Sequence, residues 1–236
     1  MCTVTFTATT DGFVLTSNRD EQTARAAIAP LHYLYNNQNL YFPKDPQSGG
    51  TWFAVNKNGT VLILLNGASE KHQHKPPYER SRGLVVLEII SSSDPILFWN
   101  EINLLNVEPF TLVLFHNRKL YQLRWDGSQK TLQNLDTGEK HIWSSSTLYP
   151  KEVRIERAKW FYEFAKTKTI LQPDDLLTFH QNSHAENAQN GLVINRLNVL
   201  KTLSITQCIV RSSDIELIYK DLINNVSHRD FIEIDQ

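Results

Sequence analysis

Met1-Cys2-Thr3-Val4-Thr5-Phe6-Thr7-Ala8-Thr9-Thr10-Asp11-Gly12-Phe13-Val14-Leu15-Thr16-Ser17-Asn18-Arg19-Asp20-Glu21 is the stretch on which the reading of this chain turns. Residues 3–9 alternate β-branched polar with apolar side chains, the period of two of a half-buried strand. Asp11-Gly12 is a hairpin signal, because both residues tolerate positive φ. Phe13-Val14-Leu15-Thr16 resumes as a second strand and runs into the polar group Asn18-Arg19-Asp20-Glu21. With Asp11-Gly12 as a two-residue loop, Thr10 pairs with Phe13, Val4 with Arg19 and Cys2 with Glu21. Opposed side chains share a face, so Cys2 would sit with Arg19 and Glu21 while Asn18 and Asp20 point away. A one-residue bulge would instead bring Cys2 against Asp20. Either register sets a charged cluster beside the chain start.

Cys2 follows the initiator Met1, which aminopeptidases generally remove before a small residue. Cys2 would then carry a free α-amine, with an ordinary pKa of about 7.7–8.0, beside a thiol. An ionised thiol is a strong nucleophile, and the amine is a base at neutral pH. One residue would supply both, the logic of N-terminal nucleophile catalysis. A neighbouring arginine favours the thiolate, and a carboxylate holds the ammonium or takes its proton. The plainer alternative is a small residue opening a strand, with an ordinary ion pair at the hairpin's end.

Outward from the hairpin, residues 30–50 read as an irregular loop, rich in Asn, Pro and Gly. Residues 51–54 and 60–65 read as strands around Asn58-Gly59, closed by Asn66-Gly67. Residues 68–80 read as a solvated loop and residues 81–90 as a helix. Asp94-Pro95 suits a second helix start, with Asp as N-cap and Pro at the first position, running to about Leu105. Residues 110–115 and 119–125 read as a hairpin and residues 140–143 as a short strand. Residues 151–168 carry helical apolar spacing, at Val153, Ala158, Phe161, Phe164 and Ala165. Residues 203–210 and 215–219 read as a closing strand pair. Strands at both ends with helices between predict one layered α+β domain spanning residues 1–236.

Cys2, the Asn18-Arg19-Asp20-Glu21 run and several later stretches together resemble the NRDE family, also called the transport and Golgi organisation 2 homologue family. Gly49-Gly50-Thr51-Trp52-Phe53-Ala54-Val55-Asn56 followed by Gly59 resembles its second motif. Leu65-Asn66 resembles its strand end, and Ser81-Arg82-Gly83 its "SRG". The family is similar to N-terminal nucleophile (Ntn) hydrolases of the choloylglycine hydrolase and penicillin acylase type. The resemblance implies a four-layer αββα sandwich of antiparallel sheets and cleavage of a nonpeptide amide bond. It implies Cys2 as nucleophile, Arg19 beside its thiolate, Asp20 orienting the α-amine and Asn66 donating to the oxyanion. Two departures stand out. Counted from the cysteine, Asn18 takes the place of the hydrolases' arginine and Glu21 that of their acid, leaving Asp20 and Glu21 open as holders of the amine. Ser145, in Trp143-Ser144-Ser145-Ser146, stands where an asparagine is expected. The resemblance also permits a non-catalytic binding or carrier role for haem or a lipid or acyl metabolite.

Composition narrows the rest. The chain has 236 residues, 24 Lys and Arg against 25 Asp and Glu, and a formal charge of −1. That balance argues against a nucleic-acid partner, which needs clustered cations. Two cysteines, Cys2 and Cys208, make no disulfide scaffold. The longest clean apolar run, residues 61–65, is far below the roughly 20 residues of a membrane span. A soluble cytoplasmic protein acting on a small molecule is expected, with no cofactor and no membrane span. His72 and His74 fall short of a zinc ligand set and read as part of a solvated loop. His180 and His184 do not read as a helical metal pair. Cys208, in an apolar strand, reads as an inert buried thiol. The five tryptophans read as core, with Trp143 a candidate pocket wall beside Ser145.

Overall fold

A computed structural model describes residues 3–234. Two hairpins open the chain: β1 (Thr3–Ala8) with β2 (Gly12–Gln22), and β3 (Ile28–Tyr35) with β4 (Gln38–Lys44). Strands β5 (Phe53–Asn56) and β6 (Val61–Asn66) follow, then helices α1 (Arg82–Ile90) and α2 (Pro95–Glu101). Next come β7 (Phe110–His116), β8 (Lys119–Trp125), β9 (Lys130–Leu135) and β10 (His141–Ser144). Helices α3 (Lys151–Lys166) and α4 (Pro173–Asn182) precede β11 (Asn195–Arg196), β12 (Leu200–Arg211), β13 (Asp214–Asp221) and β14 (Val226–Glu233).

The strands form two antiparallel sheets. One runs β10-β1-β2-β12-β13-β14, with β11 on β12; the other runs in chain order from β3 to β9. Helix α1 packs on β5 and β6, while α3 and α4 pack on β10, β2 and β12. The layers are therefore helix, sheet, sheet, helix: the αββα sandwich. Alternation along β2 explains the stacking. Phe13 and Leu15 face the second sheet, Phe13 lying 4.8 Å from Phe115. Val14, between them, joins Phe161, Phe179 and Ile209 under α3 and α4.

The structure corrects several expectations. Residues 30–50 are mostly a hairpin, not an irregular loop. Asn36 and Asn37, with φ of 47° and 62°, form its turn, the positive-φ pair that two-residue hairpins require. Pro30 is tolerated because β3 is a sheet edge. Helix α2 begins at the expected Asp94 cap, whose carboxylate accepts from the Ile96 and Leu97 amides at 2.9 and 3.0 Å. It stops at Glu101 rather than Leu105. Lys130 Nζ donates to the carbonyls of Trp99, Asn100 and Ile102, satisfying groups that a longer helix would have used itself.

Besides β3 and β4, four elements had no forecast, the two-residue β11 among them. Helix α4 starts on Pro173 with a capping box between Gln172 and Asp175, a signal available in the sequence. Strands β9 and β14 are largely exposed, polar edge strands without the apolar alternation that betrays a strand.

Candidate functional site

The first hairpin is out of the expected register. Ala8 pairs with Phe13, Val4 with Ser17 and Thr3 with Asn18. The turn takes residues 9–12 and is closed by the Thr9 amide donating to the Gly12 carbonyl at 2.8 Å. Val4 therefore does not oppose Arg19. Cys2, the sequence's candidate nucleophile, lies outside the described residues.

The division of β2 into two faces does hold. Arg19 and Glu21 line a cavity of about 610 Å³. Arg19 is 2% exposed. Its guanidinium lies 4.4 Å from the Trp52 ring centre, 3.8 Å from Asp45 Oδ2, and donates to the Arg25 carbonyl at 2.8 Å. Burial pulls the Arg19 pKa below the ordinary range, with the charges of Glu21 and Asp45 opposing that shift. Asp45 also pairs with Arg25 at 2.7 Å, and Arg25 with Glu21 at 3.5 Å. Asp45 follows directly on β4, in a stretch whose composition reads as loop; its position just ahead of Pro46 is the turn signal that the sequence offers.

Two of the family-like motifs meet to build the next wall. A Cβ on Gly50 would lie 2.4 Å from the Gly83 carbonyl carbon, and one on Gly83 would lie 2.9 Å from the Thr51 nitrogen. Only glycines allow this backbone approach, which the Thr51 amide closes on the Gly83 carbonyl at 3.2 Å. Thr51, Trp52, Ser81 and Arg82 are thereby brought to one cavity. Burial also lowers the Arg82 pKa, with Glu108 opposing; Arg82 meets Glu108 at 2.8 Å. Glu108 further receives His72 and His74 at 3.0 and 3.3 Å, so that loop is tied to the cavity wall. No group of three His, Cys, Asp or Glu that could hold a metal occurs among the described residues.

The other face of β2 points into the helical layer. Asn18 Nδ2 donates to the carbonyls of Leu192 and His180, at 2.6 and 3.1 Å, and its Oδ1 meets His180 Nδ1 at 2.5 Å. Burial drives the His180 pKa down to about 3, with the charge of Arg157 adding to the shift. The ring is thus neutral, and Nδ1 donates to Asn18 while Nε2 accepts from Thr5 Oγ1 at 2.8 Å. Asp20 accepts from Tyr149 Oη at 2.7 Å and Thr202 Oγ1 at 2.5 Å. Tyr149 stacks on the buried Arg157 guanidinium at 3.6 Å, and Arg157 Nη1 donates to Thr3 Oγ1 at 2.6 Å. The sequence reading missed Tyr149 and Arg157; nothing in the α3 periodicity marks a charged residue as buried.

Asn66 lines the cavity at the end of β6. Ser145 Oγ donates to the Asn66 carbonyl at 2.7 Å and contacts Thr147 Oγ1 at 3.0 Å. The hydroxyl is thus committed to holding the Asn66 backbone. Cys208 is fully buried, and burial raises its thiol pKa strongly. Trp52, Trp99 and Trp125 are core, whereas Trp143 lines a separate small cavity.

A profile of the Transport and Golgi organisation 2 family matches residues 1–217. The chain belongs to that family. No curated protein matches it. Among solved structures, it is similar to a Caenorhabditis elegans N-acylethanolamine-hydrolyzing acid amidase ortholog, with a TM-score of 0.61 and 9% identity over 88% of this chain and 92% of that one. It is also similar to a mutant conjugated bile acid hydrolase from Clostridium perfringens, with a TM-score of 0.58 and 8% identity over 98% and 92%. Another variant of that hydrolase gives 0.55 and 9% over 97% and 92%. Identities this low speak for the fold alone: this Transport and Golgi organisation 2 family member has the αββα sandwich of the Ntn hydrolases. No helix among the described residues is long and apolar enough to cross a membrane.

Proposed function

We propose that this protein is an N-terminal-cysteine amidohydrolase that cleaves the C–N bond of a small nonpeptide amide, acting as a single domain over residues 1–236. The supporting observation is Arg19. A nearly fully buried guanidinium, packed on Trp52 and braced by Asp45, stands on a cavity wall beside the strand that follows Cys2. A cation there stabilises a thiolate.

In this reading Met1 is removed, and the Cys2 α-amine accepts the thiol proton. The thiolate attacks the amide carbonyl carbon, and Asn66 donates to the oxyanion that forms. Collapse breaks the C–N bond, and the α-ammonium returns its proton to the leaving amine. Water then cleaves the thioester with the amine as base. Asp20, held by Tyr149 and Thr202, orients the amine. Glu21, paired with Arg25, is the less suited of the two acids. Asn18 is a structural clamp, and Ser145 positions Asn66 rather than donating to substrate.

The test is turnover of a panel of N-acyl amines. Cys2→Ser is expected to abolish hydrolysis without changing the melting temperature. Asn66→Ala is expected to lower kcat by about 10²–10³. Wild-type levels of hydrolysis in Cys2→Ser would refute the reading.

One observation favours a second reading. With the Ser145 hydroxyl committed to the Asn66 carbonyl, the site has one donor fewer for an oxyanion. That suits non-catalytic carriage of an acyl metabolite on the same cavity. Ligand binding unaltered in Cys2→Ser, with no turnover in either protein, is its signature.

A further inference from the structure

The cavity beside Trp143 is small, about 150 Å³, and unlike the large one in charge. The large cavity sets Arg19, Arg25, Arg80 and Arg82 against Glu21, Asp45, Glu79 and Glu108. The small one is lined by Leu65, Ala68, Thr111, Ile142, Trp143, Ser144 and two arginines, Arg124 and Arg154, with no carboxylate.

Its position follows from strand register. Leu65 pairs with Thr111, and Thr111 with Arg124. Directly opposed residues share a face, so these three make one row across β6, β7 and β8. Trp143 of β10, in the other sheet, reaches across and donates to Gln122 Oε1 at 2.9 Å. Arg124 therefore stands in the gap between the sheets, where a charge is costly unless paired. Arg154 comes from α3. It donates to the Ser69 carbonyl at 2.9 Å and meets Glu70 at 3.3 Å, a carboxylate 71% exposed.

Arg124 has no such relief. Its Nε is buried without a hydrogen-bond partner, and no hydrogen bond or ion pair reaches its guanidinium among the described residues. Arg154 Nε is likewise buried and unpartnered. Desolvation and then the charge of Arg154 lower the Arg124 pKa, consistent with two cations sharing one partly buried site. Two guanidinium groups lining one space of this size suit a tetrahedral or planar oxyanion, to which a guanidinium can donate in bidentate fashion.

We propose that Arg124 and Arg154 form an anion site for a phosphate group, either as free inorganic phosphate or as the terminal group of a larger metabolite. Leu65 and Ser144, which line it, directly precede Asn66 and Ser145 in the chain, so the anion sits back to back with the candidate active site. The inference does not depend on Cys2 being a nucleophile.

Isothermal titration with inorganic phosphate and with glycerol phosphate tests it. Wild type is expected to bind phosphate and to melt at a higher temperature in its presence. Arg124→Gln and Arg154→Gln are each expected to weaken binding at least tenfold, and Arg25→Gln, in the large cavity, to leave it unchanged. Arg154 lies on a partly exposed helix face, so its variant folds even if Arg124→Gln does not. Binding of both ligands supports a terminal-group site; binding of inorganic phosphate alone supports a free-ion site. No binding to wild type, or binding weakened by Arg25→Gln and not by the Arg154 variant, would overturn the proposal.

Discussion

The two faces of β2 carry four consecutive polar residues to opposite purposes. Arg19 and Glu21 stand on a cavity wall, and their partners are other charged side chains. Asn18 and Asp20 enter the helical layer, and their partners are fixed hydroxyls, carbonyls and a neutral imidazole. One strand thus joins a face open to a ligand to a face set in the helical layer. The charge of a residue does not say which face it serves; its place in the alternation does.

Changes at Asn18 and His180 should move stability, and changes on the cavity side should move reactivity; Asp20, proposed to hold the amine from the helix-facing side, should move both. The largest effect expected is acid sensitivity through His180. Its folded pKa is about 3, against about 6.5 in an unfolded chain. As pH falls below about 6.5 the unfolded chain takes up a proton that the folded ring refuses. Stability from this group is therefore lost between pH 6.5 and about 3, at up to about 1.4 kcal/mol per pH unit. Urea denaturation at pH 7, 5.5 and 4.5 should show that slope, and His180→Gln should flatten it by one proton.

Asn18→Ala comes next. It leaves the His180 Nδ1 donor unpaired and takes the Asn18 amide away from two buried carbonyls, so a loss of about 2–4 kcal/mol is expected. Equal destabilisation by Glu21→Ala would erase the distinction between faces. The smallest effect in free energy belongs to Arg19→Met. It should slow alkylation of Cys2 by iodoacetamide about tenfold, near 1.4 kcal/mol, because the thiolate loses its nearby cation. Alkylation of Cys208, fully buried and with a raised pKa, should stay slow in both proteins.

Much of this was legible in the sequence. Period-two alternation gave β1 and β2, and the Asp94-Pro95 pair gave the start of α2. The motif residues Trp52, Asn66 and Arg82 do reach the cavity that holds Arg19. Their meeting point, the Gly50 and Gly83 contact, was not legible, because it lies between segments about thirty residues apart and carries no local pattern. The hairpin register failed for a different reason. Asp11-Gly12 signals a turn but not its length, and the turn takes residues 9–12. Arg157 was missed because its burial depends on carbonyls of Asn190 and Gly191 arriving from beyond α4. Asn36 and Asn37 mislead because a run rich in Asn, Pro and Gly reads as an irregular loop, when positive φ in a tight turn is the property in use.

The claim that Cys2 is an N-terminal nucleophile is tested most directly by intact mass before and after brief iodoacetamide treatment at neutral pH. The account predicts a protein lacking Met1, with a single added label that maps to Cys2. A protein that retains Met1, or one labelled at Cys208 as readily as at Cys2, would contradict it.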